Sequence, residues 1–222
     1  MDTEAFKHQI YAEMAGMTKA LQHPVRLNML DVLAQGPASV EYLAGQTGHS
    51  IANASAHLQK LKSSRLVEVE KRGKYSFYRM ANRQVFEVMC ALRRLGMSQN
   101  AEISKLIHSY RAERNSLSSM SIQELAGALE QQDKPLVLLD VRPPEEFEQG
   151  HIKHAISMPA DALRERLDQL PPDTPIVAYC RGSFCVMADE AVHLLREHGF
   201  EATRLEQGYP EWAAQELPVS ND

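Results

Sequence analysis

The chain has 222 residues, three of them cysteine, and a formal net charge of −5 at pH 7. Its length admits one large domain or two small ones, and composition alone does not choose. No apolar run approaches the ~20 residues that a membrane-spanning helix needs, and three unevenly placed cysteines do not make a disulfide framework.

Charge divides the chain. Residues 1–116 hold 16 Lys and Arg against 10 Asp and Glu, a net of +6, whereas residues 117–222 hold 8 against 19, a net of −11. Lys and Arg neutralise phosphates and release condensed counterions, so contact with a nucleic acid is expected from the first half. The N-terminus MDTEAFKHQI lacks the charged-then-apolar order of a signal peptide, and a cytoplasmic location with reduced thiols and no membrane partner is expected.

From Thr3 to Gln22, Phe6, Ile10, Met14, Met17 and Leu21 recur at helical spacing and form one apolar stripe. His23-Pro24 interrupts it. A second helix with Val25, Leu27, Leu30 and Leu33 stops at Gly36-Pro37, and a third runs from Ser39 to Gln46. Ser50 caps a fourth to about Ser64, with Ile51, Ala54, Leu58 and Leu61 inward. Val67 and Val69 then alternate with Glu68 and Glu70 before a turn at Arg72-Gly73-Lys74, the pattern of a hairpin. Helices across a short turn followed by a hairpin predict a winged helix-turn-helix.

One helix is predicted from Asn82 to Arg114. Its apolar residues Val85, Phe86, Val88, Met89, Leu92 and Leu95 exceed what a small domain buries, which suggests a dimer face. Asn115–Ser121, rich in Ser and Asn, is the expected linker. The boundaries are therefore 1–114, 115–121 and 122–222. The last segment alternates short apolar strands (136–141, 176–179, 203–205) with helices (122–131, 160–170, 186–198), predicting a small α/β domain with a mainly parallel sheet.

On the fourth helix, the second of the DNA-binding motif, Asn53, Ser55, His57 and Gln59 are small or hydrogen-bonding side chains suited to base edges in a major groove. Lys60, Lys62 and the wing's Lys71, Arg72 and Lys74 are suited to phosphates, which position without reading sequence. The competing reading is a solvated helix face beside an ordinary basic hairpin.

Residues 13–95, through ALQHPVRLNMLDVLAQG and LAGQTGHSIANASAHLQKLKSSRLVEVEKRGKYSFYRM, resemble the ArsR family of winged-helix repressors. The resemblance implies a homodimer on a palindromic double-stranded operator, with the first helix and the helix from Asn82 at the dimer contact. Arg65 departs from it, standing where the family often has Gly at a left-handed position. The family's metal sites are absent: VEYLAGQTG has no cysteine, and Asn82-Arg83-Gln84 replaces the Asp-x-His opening. No metal or cofactor is expected. His108 reads as a surface residue, and Cys90 as a buried small hydrophobe or else a sensor thiol.

In the acidic half the strand PIVAYC ends at Cys180, and Arg181, Gly182, Ser183, Phe184 and Cys185 lead into a helix near Val186. Loop amides and a helix N-terminus converging on a sulfur favour its thiolate, so a lowered Cys180 pKa and attack on a sulfane sulfur are expected. With LLDVRPPEEFEQGHIKHAISMP and QGYPEW, residues 119–217 resemble the rhodanese family. That resemblance implies a Cys180 persulfide cradled by the Arg181–Cys185 amides and passed to a nucleophile. Asp140 and Arg142 would brace the loop, and Arg181 would attract a donor such as thiosulfate or a persulfide. The sixth residue after Cys180 is Val186, which disfavours the Cys-x5-Arg chemistry of phosphatase relatives. His154 stands where the family usually has a small residue, and Cys185 is either a resolving thiol or a passive loop residue.

Three functions fit: a repressor whose operator affinity follows the sulfur state of the rhodanese domain; a sulfurtransferase whose winged helix mainly dimerises; or a DNA-binding regulator whose rhodanese module binds an anion without turnover.

Overall fold

The computed structural model describes residues 2–130 and 135–221. The chain folds as two compact units, the first ending at Leu95 and the second beginning at Gly96.

The first unit opens with α1 (Thr3–Thr18), followed by a short 3-10 turn at Lys19–Leu21. α1 buries no residue, and its stripe of Phe6, Ile10, Met14 and Met17 is exposed. His23 caps α2 (Pro24–Leu33) by accepting from the Val25 N–H, and Pro24 takes the first helical position, where its missing N–H costs nothing. Strand β1 (Ala38–Ser39) follows, and Ser39 caps α3 (Val40–Thr47), which ends on left-handed Gly48. Ser50 caps α4 (Ile51–Ser63) through the Asn53 N–H. Ala54, Leu58 and Leu61 point inward as expected, but Ile51, in the first turn, is exposed.

β2 (Val67–Arg72) and β3 (Tyr75–Met80) pair antiparallel around a two-residue turn at Gly73-Lys74, with Gly73 at φ 62°. β1 adds to β3, making a three-stranded sheet. A single core joins these elements through Met29, Leu30, Leu43, Leu58, Leu61 and Tyr78, and Val85 and Met89 of α5 (Arg83–Gln99) close it.

The helix predicted over 82–114 is two helices. Asn100 leaves the helical conformation and caps α6 (Ala101–Glu113), its side chain accepting from Glu102. An amide side chain that serves as a cap competes with helix continuation. The expected linker is also corrected: Ser116 is wholly buried, and β4 (Ser119–Met120) is the edge strand of the second unit's sheet. The Ser and Asn residues that suggested a free tether are hydrogen-bonded parts of the fold, so the division falls near Leu95 and not after Arg114.

α7 (Ile122–Glu130) follows; its expected end at Gln131 lies outside the described residues. Next come β5 (Val137–Asp140), α8 (Pro144–Phe147), β6 (His151–Ile152) and β7 (Ile156–Ser157). Leu163–Gln169 is a 3-10 helix within the predicted 160–170 segment. β8 (Ile176–Tyr179), α9 (Met187–Glu197), β9 (Ala202–Leu205), α10 (Tyr209–Ala214) and β10 (Val219–Ser220) complete the chain.

The five-stranded sheet has the order β4-β9-β8-β5-β7, and every pairing in it is parallel. β10 and β6 form a separate antiparallel pair. Side chains alternate across a strand. Val177 and Tyr179 therefore join the core under α7 and α10, whereas Ile176, Ala178 and Cys180 join the one under α9.

Candidate functional site

Two sites emerge, one in each unit. On α4 the inward residues recur at three- and four-residue spacing, which leaves Ala52, Ala56, Lys60 and Ser63 outermost. Asn53 and His57 flank that row on one side, Ser55 and Gln59 on the other. Asn53, Gln59, Lys60 and Lys62 are exposed; Ser55 and His57 are half-buried. Gln59 donates to the Tyr78 hydroxyl at 3.0 Å, which ties the helix to the wing strand β3.

His57 is not a plain outward contact. Its ring lies 4.4 Å from that of His23 and 6.3 Å, edge-on, from that of His49. Burial lowers its pKa below the ordinary histidine value, helped by the charges of His23, Arg26 and His49. Among the described residues no group of three or more His, Cys, Asp or Glu is arranged to hold a metal ion.

The wing cations Lys71, Arg72 and Lys74 are exposed. Arg72 pairs bidentately with Glu70 at 3.1 Å, and Lys74 lies over the Tyr75 ring at 5.3 Å. Both partners of the Arg72 pair are more than half exposed, so the pair is weak and easily exchanged for a phosphate. Cys90 on α5 is half-buried and in no disulfide among the described residues.

In the second unit Cys180 follows β8 directly and is 3% exposed. The loop after it folds back on itself. Gly182 takes φ 154°, the Cys185 N–H donates to the Gly182 carbonyl at 3.0 Å, and the Cys180 thiol lies 3.6 Å from the Cys185 carbonyl oxygen. Ser183 is half-buried and Phe184 exposed at the rim.

Burial pushes the Cys180 thiol well above its ordinary pKa, although the Gly182 and Ala188 amides pull the other way. Cys185, hydrogen-bonded by Cys180 and faced by the Arg181 and Met187 amides, is lowered. The expected low-pKa Cys180 is thus corrected: helix and loop amides act on it, but desolvation wins.

Arg181 is also not the open anion receptor expected. It grips Glu146 of α8 bidentately, with Nε 3.0 and 2.9 Å from the two carboxylate oxygens and Nη2 at 2.5 Å. Asp140 and Arg142 are wholly buried partners of each other. Arg142 donates onward to the Gly150 carbonyl at 2.8 Å and lies 4.4 Å from the centre of the Tyr209 ring. They brace the segment around Gly150 and α10, while the clamp on the thiol loop itself is Glu146.

Sequence reasoning missed three more supports. Asp189 in the first turn of α9 is buried, accepts from Arg111 of α6 and from Ser116, and pairs with Arg204 at 3.3 Å. Arg111 also donates to the Ser183 carbonyl of the thiol loop at 2.8 Å. Gly208 is buried against the loop, and a Cβ there would collide with the backbone of Arg181, Gly182 and Cys180. Of these only Gly208 had a local signal, its place in QGYPEW; the Arg111 and Ser116 contacts span more than seventy residues.

The comparisons with known proteins agree with both halves. Residues 21–70 match the family of a helix-turn-helix domain, and residues 121–215 that of the rhodanese-like domain. The HTH-type transcriptional regulator Rv0324 of Mycobacterium tuberculosis is 38% identical over 213 residues, 96% of this chain and 92% of that protein. A sulfurtransferase of Allochromatium vinosum is 31% identical over 85 residues, 38% of this chain and 78% of that protein. The homodimeric winged helix-turn-helix DNA-binding domain Mb0332 of Mycobacterium bovis, described as a possible ArsR-family regulator, is 35% identical, covering 45% of this chain and 90% of that one with a TM-score of 0.41. The chain belongs to the HTH-type transcriptional regulators, as a winged helix-turn-helix fused to a rhodanese-like domain.

Proposed function

We propose that this DNA-binding regulator is a homodimeric repressor whose rhodanese-like domain carries sulfur as a Cys180 persulfide, and whose operator affinity follows that sulfur state. The observation that carries the reading is the grip of Arg111 on the thiol loop: one guanidinium holds the Ser183 carbonyl and the buried Asp189 carboxylate together. Tyr110 adds a hydrogen bond to Glu190 at 2.9 Å. Both residues belong to α6, which follows α5 after the single residue Asn100, and α5 closes the core of the winged helix. An added sulfur atom at a buried thiol displaces the loop that encloses it, and α6 holds that loop. Coupling requires that DNA and sulfur each favour one of two states, and α6 is the element able to report from one to the other.

The place of Cys180 directly after β8, with the Gly182 and Ala188 amides acting on its thiol, supports sulfur chemistry of this kind. The donor is a persulfide or polysulfide, taken up without Arg181 as the anion receptor, because Arg181 is paired with Glu146.

The test is operator affinity by fluorescence anisotropy, before and after polysulfide, for wild type, Cys180→Ser and Arg111→Ala, with peptide mass spectrometry for added sulfur. Wild type gains sulfur on Cys180 and shifts its affinity; Cys180→Ser does neither; Arg111→Ala gains sulfur but shifts by less than a third as much. Sulfur gain with unchanged affinity in wild type would assign catalysis and DNA binding to separate roles, the sulfurtransferase alternative. No sulfur on Cys180 would leave the anion-binding module.

A further inference from the structure

From the fold of the thiol loop we infer that Cys185 resolves the Cys180 persulfide within the same chain, releasing sulfide and leaving a Cys180–Cys185 disulfide. The inference rests on the Cys180 persulfide proposed above and adds to it the fate of the sulfur.

Three observations carry it. The loop is folded so that Cys185 lies against Cys180, with the Cys185 N–H on the Gly182 carbonyl at 3.0 Å and the Cys180 thiol 3.6 Å from the Cys185 carbonyl oxygen. Cys180 is 3% exposed, so a thiol arriving from solution must pass the rim, whereas Cys185 already stands beside it. Among the described residues both cysteines are free thiols, Cys180 buried and Cys185 half-buried. A neighbouring nucleophile held in place competes with external thiols at a large effective concentration.

The chemistry balances without any further reagent. Cys180 attacks the terminal sulfur of a polysulfide; the Sγ–S bond forms, an S–S bond of the donor breaks, and the shortened polysulfide leaves. Cys185 then attacks the Cys180 Sγ. The Sγ–Sγ bond forms, the persulfide S–S bond breaks, and the outer sulfur departs as HS−, carrying the proton that Cys185 has lost. Two cysteine sulfurs are oxidised by one electron each, and the sulfane sulfur is reduced by two to sulfide. Cys180 beside it and then the Arg181 and Met187 amides lower the Cys185 pKa, which favours the thiolate, the attacking form. Attack on the outer sulfur would instead move the persulfide to Cys185.

The test uses the reduced full-length protein, loaded briefly with inorganic polysulfide, desalted, and followed by peptide-resolved mass spectrometry and a sulfide assay. Wild type is expected to release one sulfide per chain and to end two hydrogens lighter than the reduced protein, with Cys180 and Cys185 joined by a bond that a reductant opens. Cys185→Ser and Cys185→Ala are expected to keep one extra sulfur on Cys180 and to release sulfide at least about tenfold more slowly. A wild-type persulfide as long-lived as that of the two variants, or one found on Cys185, overturns the inference while leaving the Cys180 persulfide standing. Absence of sulfur on Cys180 in all three proteins overturns both.

Discussion

Two residues with left-handed backbones stand where the sequence departs from its relatives' pattern. Arg65 after α4 has φ 58°, and His154 after β6 has φ 69°. A side chain at such an angle crowds the following carbonyl and costs ~1 kcal/mol, which glycine avoids. Arg65 is exposed, so its replacement loses little packing. Arg65→Gly should therefore raise unfolding free energy by about 1 kcal/mol, read from the urea midpoint at unchanged slope. An unchanged or lowered midpoint would mean that the Arg65 side chain contributes more than its backbone strain costs. The thiols make a second residue-scale prediction. Burial raises the Cys180 pKa and covers its sulfur, whereas the Cys185 pKa is lowered and its side chain is half-buried. Iodoacetamide at neutral pH should label Cys185 before Cys180, and Cys180 labelling should rise only in alkaline solution. Both departures and both thiols were legible in the sequence. The sign of the Cys180 shift was not, because it follows from complete burial of the sulfur, which a motif does not encode.

At the scale of elements, local signals served where a helix begins or a turn is forced. Ser50 caps α4 as its residue type requires, and Gly73 turns the wing. They failed where a partner distant in sequence decides. Asn115–Ser121 has a linker's composition, yet Ser116 is buried on Asp189 and Ser119–Met120 joins the sheet beside β9. α4 shows the same dependence, since His57 meets His23 from the start of α2 and His49 from the preceding turn. The lowered His57 pKa has two consequences of opposite sign. Between the folded value and the ordinary ~6.5 of the unfolded chain, the unfolded state binds more protons, so stability falls as pH drops through 6.5 and levels off below the folded pKa. Phosphates near α4 favour the imidazolium, so operator affinity should strengthen over the same fall in pH. Anisotropy titrations at stepwise pH should show that gain in wild type and lose most of it in His57→Gln; equal profiles would remove His57 from the DNA face.

The whole molecule joins a basic half to an acidic one, and the apolar surface of the first unit bears on how the basic half is deployed. Phe6, Ile10, Met14 and Met17 on α1, and Val88, Leu92 and Leu95 on α5, recur at helical spacing and are all exposed. Isolated exposed apolar residues need no explanation, but two continuous stripes on helices of one small unit are a surface that water disfavours. A second copy of the chain is the proposed cover: the same stripes meet themselves across a two-fold axis, and a symmetric pair of α4 helices then suits a palindromic operator. A charge placed in such a face costs more than in solvent, while the core under α4, built from Leu43, Leu58 and Leu61, is left untouched. Met14→Glu with Leu92→Glu should thus give a folded monomer by light scattering, with the helical circular dichroism retained. Its operator affinity should fall at least about a hundredfold, because each half-site contact is then made without the other. The slope of log affinity against log salt should shrink toward half of the wild-type value, since a monomer neutralises half as many phosphates. A variant that stays dimeric would move the interface elsewhere; a monomer that binds the operator as tightly as wild type would show that one winged helix suffices.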